Sequence, residues 1–321
     1  MLAGRLPSAR LVATRPIRAK LLALALFAAN VVSLAATGGA APSAPGPLPS
    51  AACHGVSGRA GDVDVAIVSH GVRRTARVHV PHGALGKPAA VLMAFAGTGR
   101  NGPFMERYSG LAAQLDRGPA AIGVFPSADG MSWNAGELRD GPDDVDFVSD
   151  LIDAVSERWC VDLDRVTATG VSNGGSMVAL LACAMPQRLA GVAIVAGGFG
   201  TLPPCRSRRP VSILEIHGRA DQVVPYWGVP TAGGRGAVVP WLSSWIARDR
   251  CRHTRPRVRT IAPRAVRYDW GACAGGTDVV HIAIAGGEHQ WPGATPPDPG
   301  PAATISAAAQ VWSFLAPLRL A

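Results

Sequence analysis

Two kinds of apolar pattern divide the chain. Across residues 61–81 apolar and polar positions alternate, with Val63, Val65 and Ile67 followed by Ala76, Val78 and Val80. A period of two predicts a pair of antiparallel strands with one solvated face. From residue 89 the alternation gives way to continuous apolar runs at 89–96, 120–125, 166–171, 189–196, 211–216 and 279–285. Unbroken runs of that length suit strands buried on both faces. Helix-period segments lie between most of them. In 144–159, Val145, Val148, Ile152 and Val155 share one face, and acidic residues fill the first turn, where the helix dipole favours them. Residues 240–250 and 304–315 also read as helices. Strands alternating with helices predict an α/β fold, a mainly parallel sheet with helices on both faces. There is no internal repeat.

The N-terminus follows neither pattern. Arg5, Arg10, Arg15, Arg18 and Lys20 precede an apolar stretch over 21–36 that only Asn30 and Ser33 interrupt. Small residues follow, with Ser33-Leu34-Ala35 and Gly39-Ala40-Ala41 as cleavage sites. Residues 1–41 are therefore expected to be a signal peptide and 42–60 a Pro/Ala-rich linker, leaving 61–321 as the folded α/β domain. The alternatives are an uncleaved anchor and a lipid on Cys53. The apolar run is short for a spanning helix, and Cys53 follows Ser50-Ala51-Ala52 without the usual leucine. A secreted protein with no stable membrane insertion is the expectation.

Charge adds little. The formal net charge is +9, and without the five basic residues ahead of the apolar stretch it falls to +4. No basic cluster is interleaved with aromatics, so nucleic acid is not expected as a partner. Six cysteines, none in C-x-x-C spacing, fit an oxidising compartment better than a metal. The local pairing is Cys183 with Cys205 and Cys251 with Cys273, leaving Cys53 with Cys160. His70, His79 and His82 lie in or beside the first two strands, as surface histidines do.

The candidate chemistry sits at the ends of the buried strands. Gly170-Val171-Ser172-Asn173-Gly174-Gly175 joins the strand-like run 165–169 to the helix-like run 176–183. That is the context in which a G-x-S-x-G turn exposes a nucleophilic serine. A serine hydroxyl needs an adjacent base at neutral pH, and the base needs an orienting acid. Asp221 falls in the loop just past the strand at 211–216, and His289 in the Gly-rich turn after the strand at 279–285. His281, inside that strand, reads as structural. The chain order Ser172, Asp221, His289 is the one found in α/β-hydrolases. The backbone N–H of Asn173 and one from the loop Ala96-Gly97-Thr98-Gly99, with Thr98 as the choice, would form an oxyanion hole. This chemistry needs no metal and no organic cofactor.

These motifs, with His217-Gly218-Arg219-Ala220-Asp221-Gln222-Val223-Val224-Pro225-Tyr226, Gly286-Gly287-Glu288-His289-Gln290-Trp291-Pro292-Gly293 and Ser132-Trp133-Asn134, resemble the secreted poly(3-hydroxybutyrate) depolymerase and feruloyl esterase group of α/β-hydrolases, close to carbohydrate esterase family one. The resemblance runs over residues 61–315. It implies a serine carboxylesterase with Ser172, Asp221 and His289 as the triad and Trp133 and Trp291 flanking an acyl pocket. It also implies a polyester oligomer or plant polysaccharide ester as substrate, and a monomer. Two positions depart from the group: Ala96-Gly97 stands where His-Gly is usual, and Glu288 where glycine is common. No substrate-binding module follows residue 315, which favours soluble or oligomeric esters. Acyl transfer by the same residues, or a non-catalytic binding protein on this scaffold, are the alternative functions.

Overall fold

The alternating segment folds as expected into a hairpin, β1 (Gly61–Ser69) and β2 (Val72–Val80), paired antiparallel along its full length. The computed structural model describes residues 55–136, 143–229, 236–298, 300 and 303–320, all within one compact unit. Cys53 and the leader fall outside the described residues.

The continuous apolar runs form the centre of a ten-stranded sheet. They are β3 (Ala89–Phe95), β4 (Ala121–Pro126), β5 (Val161–Val171), β6 (Gly191–Val195) and β7 (Ser212–Gly218). β8 (Arg257–Ala262) and β9 (Ala265–Trp270) form a hairpin, and β10 (Val279–Ile284) is the last strand. The order across the sheet is β1-β2-β4-β3-β5-β6-β7-β10-β9-β8. From β4 to β10 every neighbouring pair is parallel, while β1–β2 and β9–β8 close the edges antiparallel. The edge hairpin β8–β9 was not apparent in the apolar pattern. Its Arg-Val-Arg-Thr alternation is largely exposed, as an edge strand tolerates.

Helices cover both faces. They are α1 (Gly102–Ser109), α2 (Leu111–Arg117), α3 (Asp144–Arg158), α4 (Asn173–Ala184), α5 (Val238–Arg248) and α6 (Ala307–Leu315). Two apolar layers result. One packs Met93, Phe95, Phe147, Ile152, Met177 and Leu181 together, and the other Leu92, Phe125, Ile216, Ile282, Trp291 and Val311. Consecutive residues of β3 divide between the layers, as side chains on opposite faces of a sheet must.

α3 starts where the acidic residues predicted. Asp143 caps it by accepting from the Asp146 N–H at 3.0 Å. Asp144 is buried and pairs with Arg74 at 2.6 Å, and the Arg74 guanidinium lies 3.9 Å from the Phe147 ring centre. Cys183–Cys205 and Cys251–Cys273 are disulfide-bonded, as the local pairing predicted. Among the described residues no helix is long and apolar enough to cross a membrane.

Candidate active site

Three loops at the C-terminal ends of the parallel strands converge on Ser172. In open α/β sheets this is the edge where sites assemble. Ser172 sits between β5 and α4 at φ 57° and ψ −126°. Such a backbone costs a non-glycine residue roughly 1–3 kcal/mol, and the surroundings enforce it. The Ser172 N–H donates to the Val195 carbonyl at 3.0 Å, and its own carbonyl accepts from the Ser176 N–H at 2.9 Å. A Cβ on Gly174 would stand 2.3 Å from the Phe95 carbonyl oxygen, and one on Gly170 would stand 2.4 Å from that of Gly174. Only glycine allows helix α4 to approach β3 and the elbow this closely.

Two further loops are laced to each other. The Arg219 N–H donates to the Ile284 carbonyl and the Ala220 N–H to that of Gly287, both at 2.9 Å. Gly218 lies so near Gly287 that a Cβ would meet its carbonyl oxygen at 2.3 Å. This contact carries Asp221 and His289 toward one another. His289 Nδ1 lies 2.8 Å from Asp221 Oδ2, and His289 Nε2 lies 2.9 Å from Ser172 Oγ. Asp221 is buried, while the His289 side chain keeps 20% of its surface exposed. The three residues picked out by motif and order thus form one hydrogen-bonded line.

Asp221 is fixed from the other side too. Its Oδ1 accepts from the N–H groups of Val223 at 2.9 Å and Val224 at 2.8 Å. Its Oδ2 also lies 3.2 Å from His217 Nε2. Burial alone would push the carboxyl up. The hydrogen bonds from His217, His289 and the Val224 N–H outweigh burial and hold it well below the usual carboxylate range.

The loop after β3 runs beside the serine. A Cβ on Gly97 would stand 3.1 Å from Ser172 Cβ, so the loop lies tight against the serine. Thr98 follows and is exposed, with its Oγ1 accepting from Ser132 Oγ at 3.2 Å. Asn173 is the first residue of α4. Its side chain is engaged, with Oδ1 accepting from the Trp133 N–H at 2.7 Å and Nδ2 donating to the Trp133 carbonyl at 3.1 Å.

Trp133 and Trp291, expected to flank an acyl pocket, are both buried and held by specific contacts, and Trp291 also lines a cavity with Gln290, Pro292 and Asp298. Trp133 is 2% exposed and Trp291 is 1% exposed. The Trp133 indole N–H donates to the Ala96 carbonyl at 3.0 Å, and its ring packs between Phe95 and Phe147. It braces the loop carrying Gly97 and Thr98 against Asn173. The Trp291 indole N–H donates to the Ser109 carbonyl at 2.9 Å, and its backbone N–H to Asp298 Oδ2 at 2.8 Å. It anchors the loop carrying His289 to the α1–α2 junction. A large ring with a polar N–H is well suited to both tasks, because burial satisfies the ring and a carbonyl satisfies the N–H.

Among the described residues one group could hold a metal. Ligand atoms of Asp62, His79 and Glu106 come within 4.8 Å of one another at the β1–β2 edge. His79 already bridges Asp62 at 2.7 Å and Asp116 at 3.0 Å. Burial opposes its charge, but those two carboxylates outweigh burial and raise its pKa.

The chain matches relatives of known class. No family model matches it. The acetyl xylan esterase from Aspergillus awamori shares the fold, with a TM-score of 0.54 and 14% identity over 71% of this chain and 94% of that one. Feruloyl esterase D of Neurospora crassa is 30% identical over 177 residues, 54% of this chain and 56% of that protein. The protein named "Putative esterase NocK" of Nocardia uniformis subsp. tsuyamanensis is 34% identical over 258 residues, 72% of this chain and 74% of that protein. The chain belongs to the same esterase family as NocK and has the α/β-hydrolase fold. It is an ester-hydrolysing enzyme.

For this esterase, sequence reading located the line Ser172, His289, Asp221 but missed what lies behind it. Glu215 and His217 are fully buried on β7, and His281 on β10 packs beside them. His217 appeared only as part of a motif, and His281 as a structural residue. Paired parallel strands supply the missing signal: Glu215 and His281 stand opposite in the β7–β10 register. Two titratable residues two apart on one buried strand, facing a third across the pairing, are improbable as packing alone because each must find a partner.

Proposed function

We propose that the chain is a secreted serine carboxylesterase acting on feruloyl or acetyl esters carried by polysaccharides. The observation that carries the reading is the unbroken line from Ser172 Oγ through His289 to Asp221, at 2.9 and 2.8 Å, with the serine held at a strained turn. The names of the relatives support the substrate class, and the disulfides suit an extracellular enzyme. In this reading residues 1–41 direct secretion, 42–60 are a linker and 61–321 hold the catalytic domain.

Ser172 Oγ attacks the ester carbonyl carbon while His289 Nε2 takes its proton. Asp221 fixes His289 with Nδ1–H pointing inward, so that Nε2 presents its lone pair to the serine, and stabilises the imidazolium that forms. The N–H groups of Asn173 and Thr98 donate to the developing oxyanion. Each such donor contributes about 3 kcal/mol of barrier lowering. The imidazolium then protonates the leaving alcohol. Water, activated by His289, attacks the acyl-enzyme and releases the acid.

The test is a panel of methyl ferulate, acetylated xylan and 3-hydroxybutyrate oligomers, assayed with the wild type and Ser172→Ala. The reading expects turnover of the first two, and a loss of at least about 10⁴-fold in the variant. Turnover confined to hydroxybutyrate oligomers would move the substrate to polyester. Full activity in Ser172→Ala would remove the mechanism.

A further inference from the structure

Behind Asp221 the hydrogen-bonded line continues. His217 Nε2 lies 3.2 Å from Asp221 Oδ2 and 2.9 Å from the Val224 carbonyl oxygen. His217 Nδ1 lies 2.9 Å from Glu215 Oε1. Glu215 Oε2 lies 2.6 Å from His281 Nδ1, which also faces the Glu215 carbonyl oxygen at 3.2 Å. His281 Nε2 lies 2.8 Å from the Tyr226 hydroxyl. The side chains of Glu215, His217 and Asp221 are each 0% exposed.

Proton counting along this line leaves little freedom. Both nitrogens of His217 face only oxygen acceptors: a carboxylate on one side, a carbonyl and a second carboxylate on the other. A neutral imidazole has one bare lone pair, which here would point at another lone pair. Two N–H donors satisfy every contact. His281 differs, because its Nδ1 faces the Glu215 backbone carbonyl at 3.2 Å and the Tyr226 hydroxyl beside its Nε2 can either donate or accept. His281 therefore needs no second proton to meet its contacts. The result is one buried cation between two buried carboxylates.

We propose that His217 is a positioning residue for the proposed triad: as an imidazolium held by Glu215, it keeps Asp221 ionised and aims Asp221 Oδ2 at His289. The inference rests on the triad reading above. A buried charge pair is costly unless its geometry is fully satisfied, and replacing it by apolar residues is commonly neutral or stabilising. Its presence one hydrogen bond from Asp221 points to a task there. The division of labour is visible at the carboxylate. Oδ1 is clamped by two backbone N–H groups, whereas Oδ2 is held in common by the two histidines.

The charge state fits the wider surroundings. Burial disfavours the imidazolium, but the Glu215 carboxylate and the hydrogen bonds to Asp221 and Glu215 outweigh burial and raise His217 to about 10. Glu215 is lowered despite burial, chiefly by the His217 charge beside it. The other charged or titratable groups near the line are His289 beyond Asp221, Tyr268 stacked on His281, and Arg219 over the ring of Tyr226.

Two measurements test this. In the wild type, ¹⁵N-histidine NMR at pH 8.5 is expected to show one non-exchanging histidine with both ring nitrogens protonated, and that signal should vanish in His217→Gln. A neutral His217 at that pH overturns the proposal, whether or not any ester is turned over. In folded His217→Gln and Glu215→Gln, kcat is expected to fall about 10- to 100-fold with KM within twofold. The acidic limb of kcat/KM should move up by about one pH unit, the scale of a lost neighbouring charge. A merely structural role would lower the melting temperature and leave that limb in place, and this outcome also overturns the proposal. Wild-type turnover failing across the ester panel would instead count against the esterase substrate reading, with the NMR result standing apart.

Discussion

Replacing Trp133 by phenylalanine separates a brace from a pocket wall. The variant keeps an aromatic ring between Phe95, at 5.0 Å, and Phe147, at 6.4 Å between centroids. It removes the indole N–H that the buried Ala96 carbonyl accepts at 3.0 Å. An orphaned buried carbonyl costs about 1–3 kcal/mol, and the smaller ring leaves a void worth about 1–2 kcal/mol more. The sum is about 2–5 kcal/mol. At about 2–4 °C per kcal/mol for a domain of this size, the melting temperature should drop by roughly 4–20 °C. The freed carbonyl precedes Gly97 and Thr98, so the proposed oxyanion donor loosens with it. Part of its roughly 3 kcal/mol is then lost, giving an expected fall in kcat of about tenfold with KM nearly unchanged. Calorimetry and steady-state kinetics on p-nitrophenyl esters of increasing acyl length provide both readings. A variant with wild-type stability and kcat but a changed acyl-length preference would refute the brace and restore the pocket wall.

Other consequences follow from buried groups away from the serine. Asp249 is fully buried, with Oδ2 accepting from the Val211 N–H at 3.2 Å and Oδ1 lacking a hydrogen-bond donor. Burial pushes its carboxyl up to about 6, against the pull of Val211 and Arg248. The folded state therefore holds a proton that the unfolded state releases near 3.8, so this group's contribution to stability falls as pH rises from about 4 to 6. Asp249→Asn should raise the melting temperature at pH 7.5 and leave it near wild type at pH 4; equal shifts at both pH values would contradict the assignment. Cys183–Cys205 and Cys251–Cys273 each span 22 residues of sequence. Cys183→Ser with Cys205→Ser is expected to cost about 3 kcal/mol, read as a lower urea midpoint with an active native state.

What the sequence revealed follows from how local each feature is. Strands β3, β6 and β10 announce themselves because burial on both faces demands an unbroken apolar run. The elbow is legible because its glycines are required by contacts within a few residues, Gly170 against Gly174 among them. Asp221 and His289 were found because chain order and strand ends constrain them. Their meeting, however, depends on the Gly218–Gly287 contact, which no spacing shows. The bracing contacts of Trp133 and Trp291 were not legible for the opposite reason. A lone tryptophan near a site has two plausible homes, and only the partner of its N–H distinguishes them. Glu215 and His217 were invisible as chemistry because each looks like a stray polar residue until strands β7 and β10 are paired.

The central claim is that Ser172 is an activated nucleophile. The purified protein should be treated with a fluorophosphonate probe near neutral pH and analysed by intact mass and peptide mapping. The account predicts one adduct per chain, on the peptide containing Ser172, and none in Ser172→Ala or after His289→Ala. An unlabelled but folded wild type, or an adduct on another serine, would contradict it.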